Sequence, residues 1–173
     1  MNIKKLSKIV LALALVISSQ IGYAEEWQTI DHYQVKNGVA KDTKTGLMWM
    51  RCPLGMKWKG ETCVGKSNEY TWKKAMQTAK STKYAGNKNW RVPTVEELRT
   101  ITGNQDGNIP DTNPVFPRSF CNDTQKQGNC IAWTSSNHEN RSNFAWILNI
   151  NDGHEDYSGK EGKVAVQLVR DEK

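Results

Sequence analysis

Four cysteines, Cys52, Cys63, Cys121 and Cys130, constrain this chain most, because they follow an N-terminal stretch with the pattern of an export leader. The leader has three parts. Lys4, Lys5 and Lys8 make a positive start, Ile9 to Ser18 is an apolar run short for a bilayer span, and Gly22-Tyr23-Ala24 offers the small residues a signal peptidase reads. Residues 1–24 are therefore expected to be a signal peptide cleaved after Ala24, and residues 25–173 a single domain. Glu25, not a cysteine, follows the cut, so no lipid anchor is expected. The mature chain has no second apolar run that would make a membrane span.

An even cysteine count in an exported chain reads as disulfides. Three pairings are possible. Cys52–Cys63 and Cys121–Cys130 are favoured, because each pair brackets a short turn-rich loop, PLGMKWKGET and NDTQKQGN. The alternative is zinc, but separations of eleven and nine residues match no common ligand pattern and no histidine sits nearby.

Charge adds a second constraint. Three of the 24 basic side chains leave with the leader, so the mature chain carries 21 against 18 acidic ones, or +3. The distribution is polar. Between Lys57 and Arg91 lie nine Lys/Arg and two acids, a segment of +7 in a chain that is otherwise −4. Such asymmetry attracts an anionic partner at long range, although a lysine-rich helix face is more often merely solvated.

The elements read as follows. Val39–Lys41 and Leu47–Met50 are strands around the turn DTKTG, with Gly46 supplying a positive φ. TWKKAMQTAK predicts a helix from Trp72 to Ser81 that Thr71 can cap. Its apolar face is Trp72, Ala75, Met76 and Ala79, and its polar face Lys73, Lys74, Gln77 and Lys80. NWRVPTVEELRTITG predicts a second helix start. Thr94 and Glu97 have capping-box spacing, Glu96 sits where the helix dipole favours an anion, Val95, Leu98 and Ile101 point inward, and Gly103 ends the helix. IAWTSS, FAWILNI and VAVQLVR alternate as strands, with Asn151-Asp152-Gly153 a hairpin turn. They are expected to form a central antiparallel sheet carrying both helices.

From Gly103 to Gln127 the chain is irregular. Asn104, Asp106, Asn108 and Asp111 offer oxygen atoms to calcium, but the spacing is not an EF-hand, and Asx-turns in a long loop are the plainer reading. No catalytic residue is assigned. Glu96 and Glu97 have a local structural role, the three histidines are scattered, and there is no nucleophile elbow, phosphate loop or dinucleotide fingerprint. No cofactor, metal or nucleic-acid partner is expected.

DTKTGLMWMRCPLGMKWKGETCVG, YTWKKAMQTA, NWRVPTVEELRTI, AWTSS and FAWILNINDG…VQLVR occur in that order. Together they resemble the domain first named from the C terminus of the Legionella collagen-like adhesin, the Lcl C-terminal domain family, over roughly Val39 to Arg170. The resemblance implies an α+β, C-type-lectin-like fold: two helices packed on antiparallel β-sheet, with long disulfide-stapled loops. It also implies an exported bacterial binding module, placed at the cell surface or outer membrane, or alternatively in the periplasm. The tripeptides of the calcium-dependent sugar site of true C-type lectins are absent, and there is no collagen-like stalk.

The function expected is an adhesin for a host sulphated polysaccharide, or for a host extracellular glycoprotein such as fibrinogen or a matrix protein. The alternative is an accessory periplasmic protein without a host ligand. The expected contacts to an anionic partner are Lys57, Trp58, Lys59, Lys73, Lys74, Lys80, Lys83 and Lys88, with Lys66 and Arg91 close in sequence. Trp58 would stack on a sugar ring or, as the more frequent fate of such a residue, pack into its own loop.

Overall fold

The structure, a computed structural model, describes residues 26–102, 114–117 and 130–172. The expected leader, the four proposed calcium oxygens, Gly103 and Cys121, with its expected bond to Cys130, lie outside the described residues.

The architecture is α+β with antiparallel sheets. Strands β1 (Gln28–Ile30), β2 (Tyr33–Lys36), β3 (Val39–Asp42) and β4 (Leu47–Met50) form a meander, and β10 (Val169–Asp171) pairs with β4. Next come a two-stranded hairpin, β5 (Lys57–Lys59) and β6 (Thr62–Val64), and helices α1 (Trp72–Ser81) and α2 (Val95–Arg99). The second large sheet is β7 (Ile131–Asn137), β8 (Phe144–Asn149) and β9 (Glu155–Gly159), in that order.

Strand β4 shows why the core has two sides. All four of its residues are buried, and they alternate between two apolar clusters: Leu47 and Trp49 in one, Met48 and Met50 in the other. Alternation is the period-two geometry of a strand, and a strand covered on both faces reads as an unbroken apolar run. The same alternation splits β8, with Leu148 in the first cluster and Ala145 and Ile147 in the second. Helix α2 supplies Val95 and Leu98 to the first, while α1 supplies Ala75 and Ala79 to the second. The two helices thus serve different clusters.

The expected sheet needs a correction. Asn151-Asp152-Gly153 does turn the chain, with Gly153 at φ 73° and its N–H donating to the Asn149 carbonyl. The partner of β8 beyond the turn is Glu155–Gly159, not VAVQLVR. The latter segment stitches the sheets together instead. Ala165 bridges Ala132 of β7 in parallel, the Val166 and Leu168 carbonyls accept from Leu54 and Met50, and Val169 pairs with Trp49 and with Arg91. Its apolar residues are drawn to the seam between sheets, where Val166, Leu168 and Val169 are fully buried.

The helices begin as their residues dictate, with one exception. Helix α1 spans the expected residues, but Thr71 at its N-cap makes no side-chain capping bond. The helix is held instead by its apolar side and by Trp72, whose indole N–H donates to the Thr134 carbonyl at 2.8 Å. Helix α2 carries the full capping box. Thr94 Oγ1 accepts from the Glu97 N–H at 3.2 Å, and Glu97 Oε2 accepts from the Thr94 N–H at 2.9 Å. Both Glu97 oxygens also take the Arg91 fork, at 2.6 and 2.7 Å, and Arg91 reaches Asp171 at 2.9 Å.

The Cys52–Cys63 disulfide is formed, with Cα atoms 5.6 Å apart, and closes the β5–β6 hairpin against β4. Its buried sulfurs pack with Met56 and the half-buried Trp58. Reduction, or Cys52→Ser, is expected to cost about 2–5 kcal/mol and to lower the melting temperature; a variant melting with the wild type would show that the hairpin holds without its staple.

Glu97 sets a pH dependence. The Arg91 guanidinium, and after it the Thr94 N–H, hold the Glu97 carboxyl below the ordinary glutamate range against the opposing effect of burial. A carboxyl depressed on folding contributes stability that is present above its unfolded pKa, about 4.3, and is lost as pH falls through the lower folded value. Glu97→Gln is therefore expected to destabilise at pH 7 and to flatten the acid limb of the stability curve, read by denaturant titration between pH 2 and 7. Thr94→Ala is expected to cost about 1 kcal/mol at pH 7; an unchanged acid limb in Glu97→Gln would refute the assignment.

Candidate functional site

The basic segment is folded onto three connected pieces: the β5–β6 hairpin, helix α1 and the turn that follows it. Lys57 and Lys59 are exposed on β5, Lys66 just beyond β6, Lys73, Lys74 and Lys80 on α1, and Lys83 and Lys88 around the turn. The turn is built for reversal: Tyr84 and Asn87 exchange both backbone bonds, and Ala85 and Gly86 between them have φ of 47° and 76°.

Gly38 joins the hairpin to the turn. A Cβ there would stand 2.2 Å from the Tyr84 hydroxyl and 2.7 Å from Trp58 Cβ, so only glycine admits both. The contact places the strand bearing Lys57 and Lys59 beside the turn bearing Lys83. Trp58 is half-buried here, with the Arg51 guanidinium 3.5 Å from its ring centroid. Arg51 is itself buried and donates from Nε to the Val115 carbonyl at 2.7 Å. Part of the Trp58 ring thus serves packing, and the remainder faces solvent.

Electrostatics separates these lysines from the cations the fold neutralises. Arg91 is committed to Glu97 and Asp171, Arg99 to Glu155, and Lys41 to Glu172. Among the described residues, no carboxylate lies within 4.0 Å of Lys57, Lys59, Lys66, Lys73, Lys74, Lys80, Lys83 or Lys88. Arg91, close to them in sequence, is thus neutralised where they are not. At the start of α1 the imbalance sharpens. Lys73 and Lys74 stand in the first turn, which holds no acid, so two cations sit at the helix end where the backbone dipole is already positive. That placement costs helix stability and raises the local positive potential.

Glu96 and Glu97 do not resemble an acid–base pair. Both carboxyls are held below the ordinary range, Glu96 by hydrogen bonds from its own amide and the Thr94 hydroxyl, Glu97 by Arg91. An acid–base pair needs environments that push the two values apart. Among the described residues, no three His, Cys, Asp or Glu side chains are grouped to hold a metal ion, and no helix is long and apolar enough to cross a membrane.

A second surface feature escaped the sequence reading. Phe144, Trp146 and Leu148 share one face of β8, opposite Gly159, Tyr157 and Glu155 of β9. Helix α2 covers the Leu148 end, where Arg99 Nε donates to Glu155 at 2.7 Å. The other end carries the exposed Tyr157. There His138 stacks on Trp146 with centroids 5.4 Å apart, Tyr157 meets Trp146 edge-on at 6.3 Å, and Arg141 lies 4.9 Å over Tyr157. The available signal was two aromatics at i, i+2 on β8. It is obscured because EDYSG carries no alternating apolar pattern to mark Tyr157 as part of the strand beside β8.

The sequence model of one family, the Lcl C-terminal domain, matches residues 38–170, from the Gly38 contact through the strand that closes on β4. No curated protein matches the chain. With the motif blocks, the antiparallel α+β core and the match all spanning the same residues, the chain belongs to the Lcl C-terminal domain family.

Proposed function

We propose that this chain is an exported bacterial binding module, an adhesin-related domain that holds an anionic host polymer on its lysine surface. The observation that carries the reading is the run of eight exposed lysines on the hairpin, α1 and the turn after it, none with a carboxylate partner among the described residues, whereas Arg91 and Arg99 are paired. Unpaired cations grouped on a rigid framework favour an anionic partner at long range and give up bound counterions to it. Family membership supports an adhesin-related role. The partner class is a sulphated polysaccharide or a host glycoprotein such as fibrinogen or a matrix protein, and the site of action is the bacterial surface. Binding, not catalysis, is the activity: the paired glutamates are engaged in capping and in the Arg91 bridge. The finer fold assignment, C-type-lectin-like, is part of this reading, supported by two helices on antiparallel sheet.

Retention on heparin measures it. The wild-type domain is expected to bind at low salt and to elute as salt rises, because each lysine–oxyanion contact displaces counterions. Reversing Lys73, Lys74 and Lys80 to Glu is expected to abolish retention while leaving the melting temperature near wild type, since exposed substitutions shift stability by about 0.5 kcal/mol or less. Flow-through of the wild type at low salt would hand the function to a glycoprotein ligand recognised by apolar contacts, or to an accessory role without a host ligand.

A further inference from the structure

Arg141 and Lys160 are cations held in place without acids. The Arg141 guanidinium lies over two rings, 4.9 Å from Tyr157 and 5.6 Å from Phe144, and donates to the Tyr157 hydroxyl at 3.1 Å. Lys160 Nζ donates to Asn137 Oδ1 at 2.7 Å and to the Ser142 carbonyl at 2.6 Å, and stands 4.5 Å over the Trp72 ring. Among the described residues neither has a carboxylate within 4.0 Å. Asp156 beside them is turned to the opposite face of β9, where it accepts from the Tyr157 N–H at 2.8 Å. Aromatic faces and neutral acceptors fix both positions but leave both charges uncompensated.

The two groups are neighbours and adjoin the lysine surface. Lys160 bonds the residue next to Arg141, and its carbonyl accepts from the N–H of Trp72, the first residue of α1. Lys73 and Lys74 follow directly. The basic side chains of α1 are therefore followed by Lys160 and then by Arg141 and Tyr157 at the Phe144 end of the β8–β9 face. Tyr157, 37% exposed, adds an amphipathic ring beside the guanidinium. A planar cation with free N–H groups suits an oxyanion in a fork geometry, and an exposed ring suits the C–H face of a pyranose.

From this arrangement we infer that Arg141, Tyr157 and Lys160 form a subsite for an acidic sugar ring, one bearing a carboxylate or a sulphate, at the end of the lysine surface. The inference rests on the polyanion reading and adds to it a fixed position where one sugar unit is recognised by shape as well as charge. An acidic peptide is the competing occupant. Continuity with the lysine face favours the sugar polymer, which places anions at regular intervals along a track.

The test is titration of the oxidised domain with a defined heparin-type oligosaccharide, and with its desulphated form that keeps the carboxylates, across a salt series. Arg141→Gln is expected to weaken binding about tenfold and to lower the salt slope by about one contact. Tyr157→Ala is expected to weaken it roughly fivefold with the slope unchanged, and Tyr157→Phe to retain most affinity. Thermal melts establish that each variant is folded at the titration temperature, and Arg141→Gln, an exposed change, carries the test if Tyr157→Ala is not. Sensitivity to Arg141→Gln with the desulphated sugar assigns the oxyanion as carboxylate; sensitivity with the sulphated sugar alone assigns it as sulphate.

Wild-type affinity in both variants, with binding lost only on reversing Lys73, Lys74 and Lys80, would overturn the subsite and leave the lysine surface standing. No binding of either sugar by the wild type would overturn both. Arg141-dependent binding of an acidic peptide, with sugar binding indifferent to Arg141, would overturn the sugar assignment in favour of a protein partner.

Discussion

Everything in the fold is arranged around a strand that has no solvent face. Leu47–Met50 must be covered on both sides, since Trp49 is fully buried in one cluster and Met48 and Met50 are buried in the other. Hydrophobic burial on one face alone would leave two large side chains in water, at roughly 1.5–3 kcal/mol each. Two helices, one for each cluster, meet that demand. So does the seam formed by residues 164–171, which closes the edge of β4 that β3 leaves open. The Arg91–Glu97–Asp171 bridge then ties the start of α2 to the strand that completes the sheet.

Much of this was legible from local sequence, for a physical reason. Where structure follows from neighbours along the chain, as in the Thr94–Glu97 box or the apolar spacing of α1, the pattern names the element. The β3–β4 hairpin was equally plain, with Gly46 at φ 70° where a positive value was needed. Legibility ends where pairing is long-range. EDYSG lacks the β-branched residues that advertise a strand, yet pairs with β8 because the turn delivers it there. VAVQLVR advertises a strand, yet only its end becomes one. The strands β1, β2, β5 and β6 are three or four residues long and too brief for periodicity to register.

The candidate site divides along the same line. Sequence located the lysines, because charge density is a local count, but it could not separate Arg91, which the fold neutralises, from Lys88, which it leaves exposed without an acid among the described residues. Nor could it bring Trp58 of β5 and the Tyr84 hydroxyl of the turn together against Gly38, an approach that the missing side chain permits. The aromatic end of the β8–β9 face depends on cross-strand register, which is not a property of any single segment.

The closing of β4 by β10 also bears on how such a chain reaches its destination. Trp49 pairs with Val169, 120 residues later, so β4 has no partner on that edge until that segment has been made. Contacts of such sequence separation make folding slow, because loop closure precedes the reward. A chain of this topology lacks one edge partner of β4 until residues 169–171 are present. For the exported domain proposed here, that delay is the state a translocation channel requires. Under that proposal, the strand order that completes the finished domain would also delay its closure until passage is over.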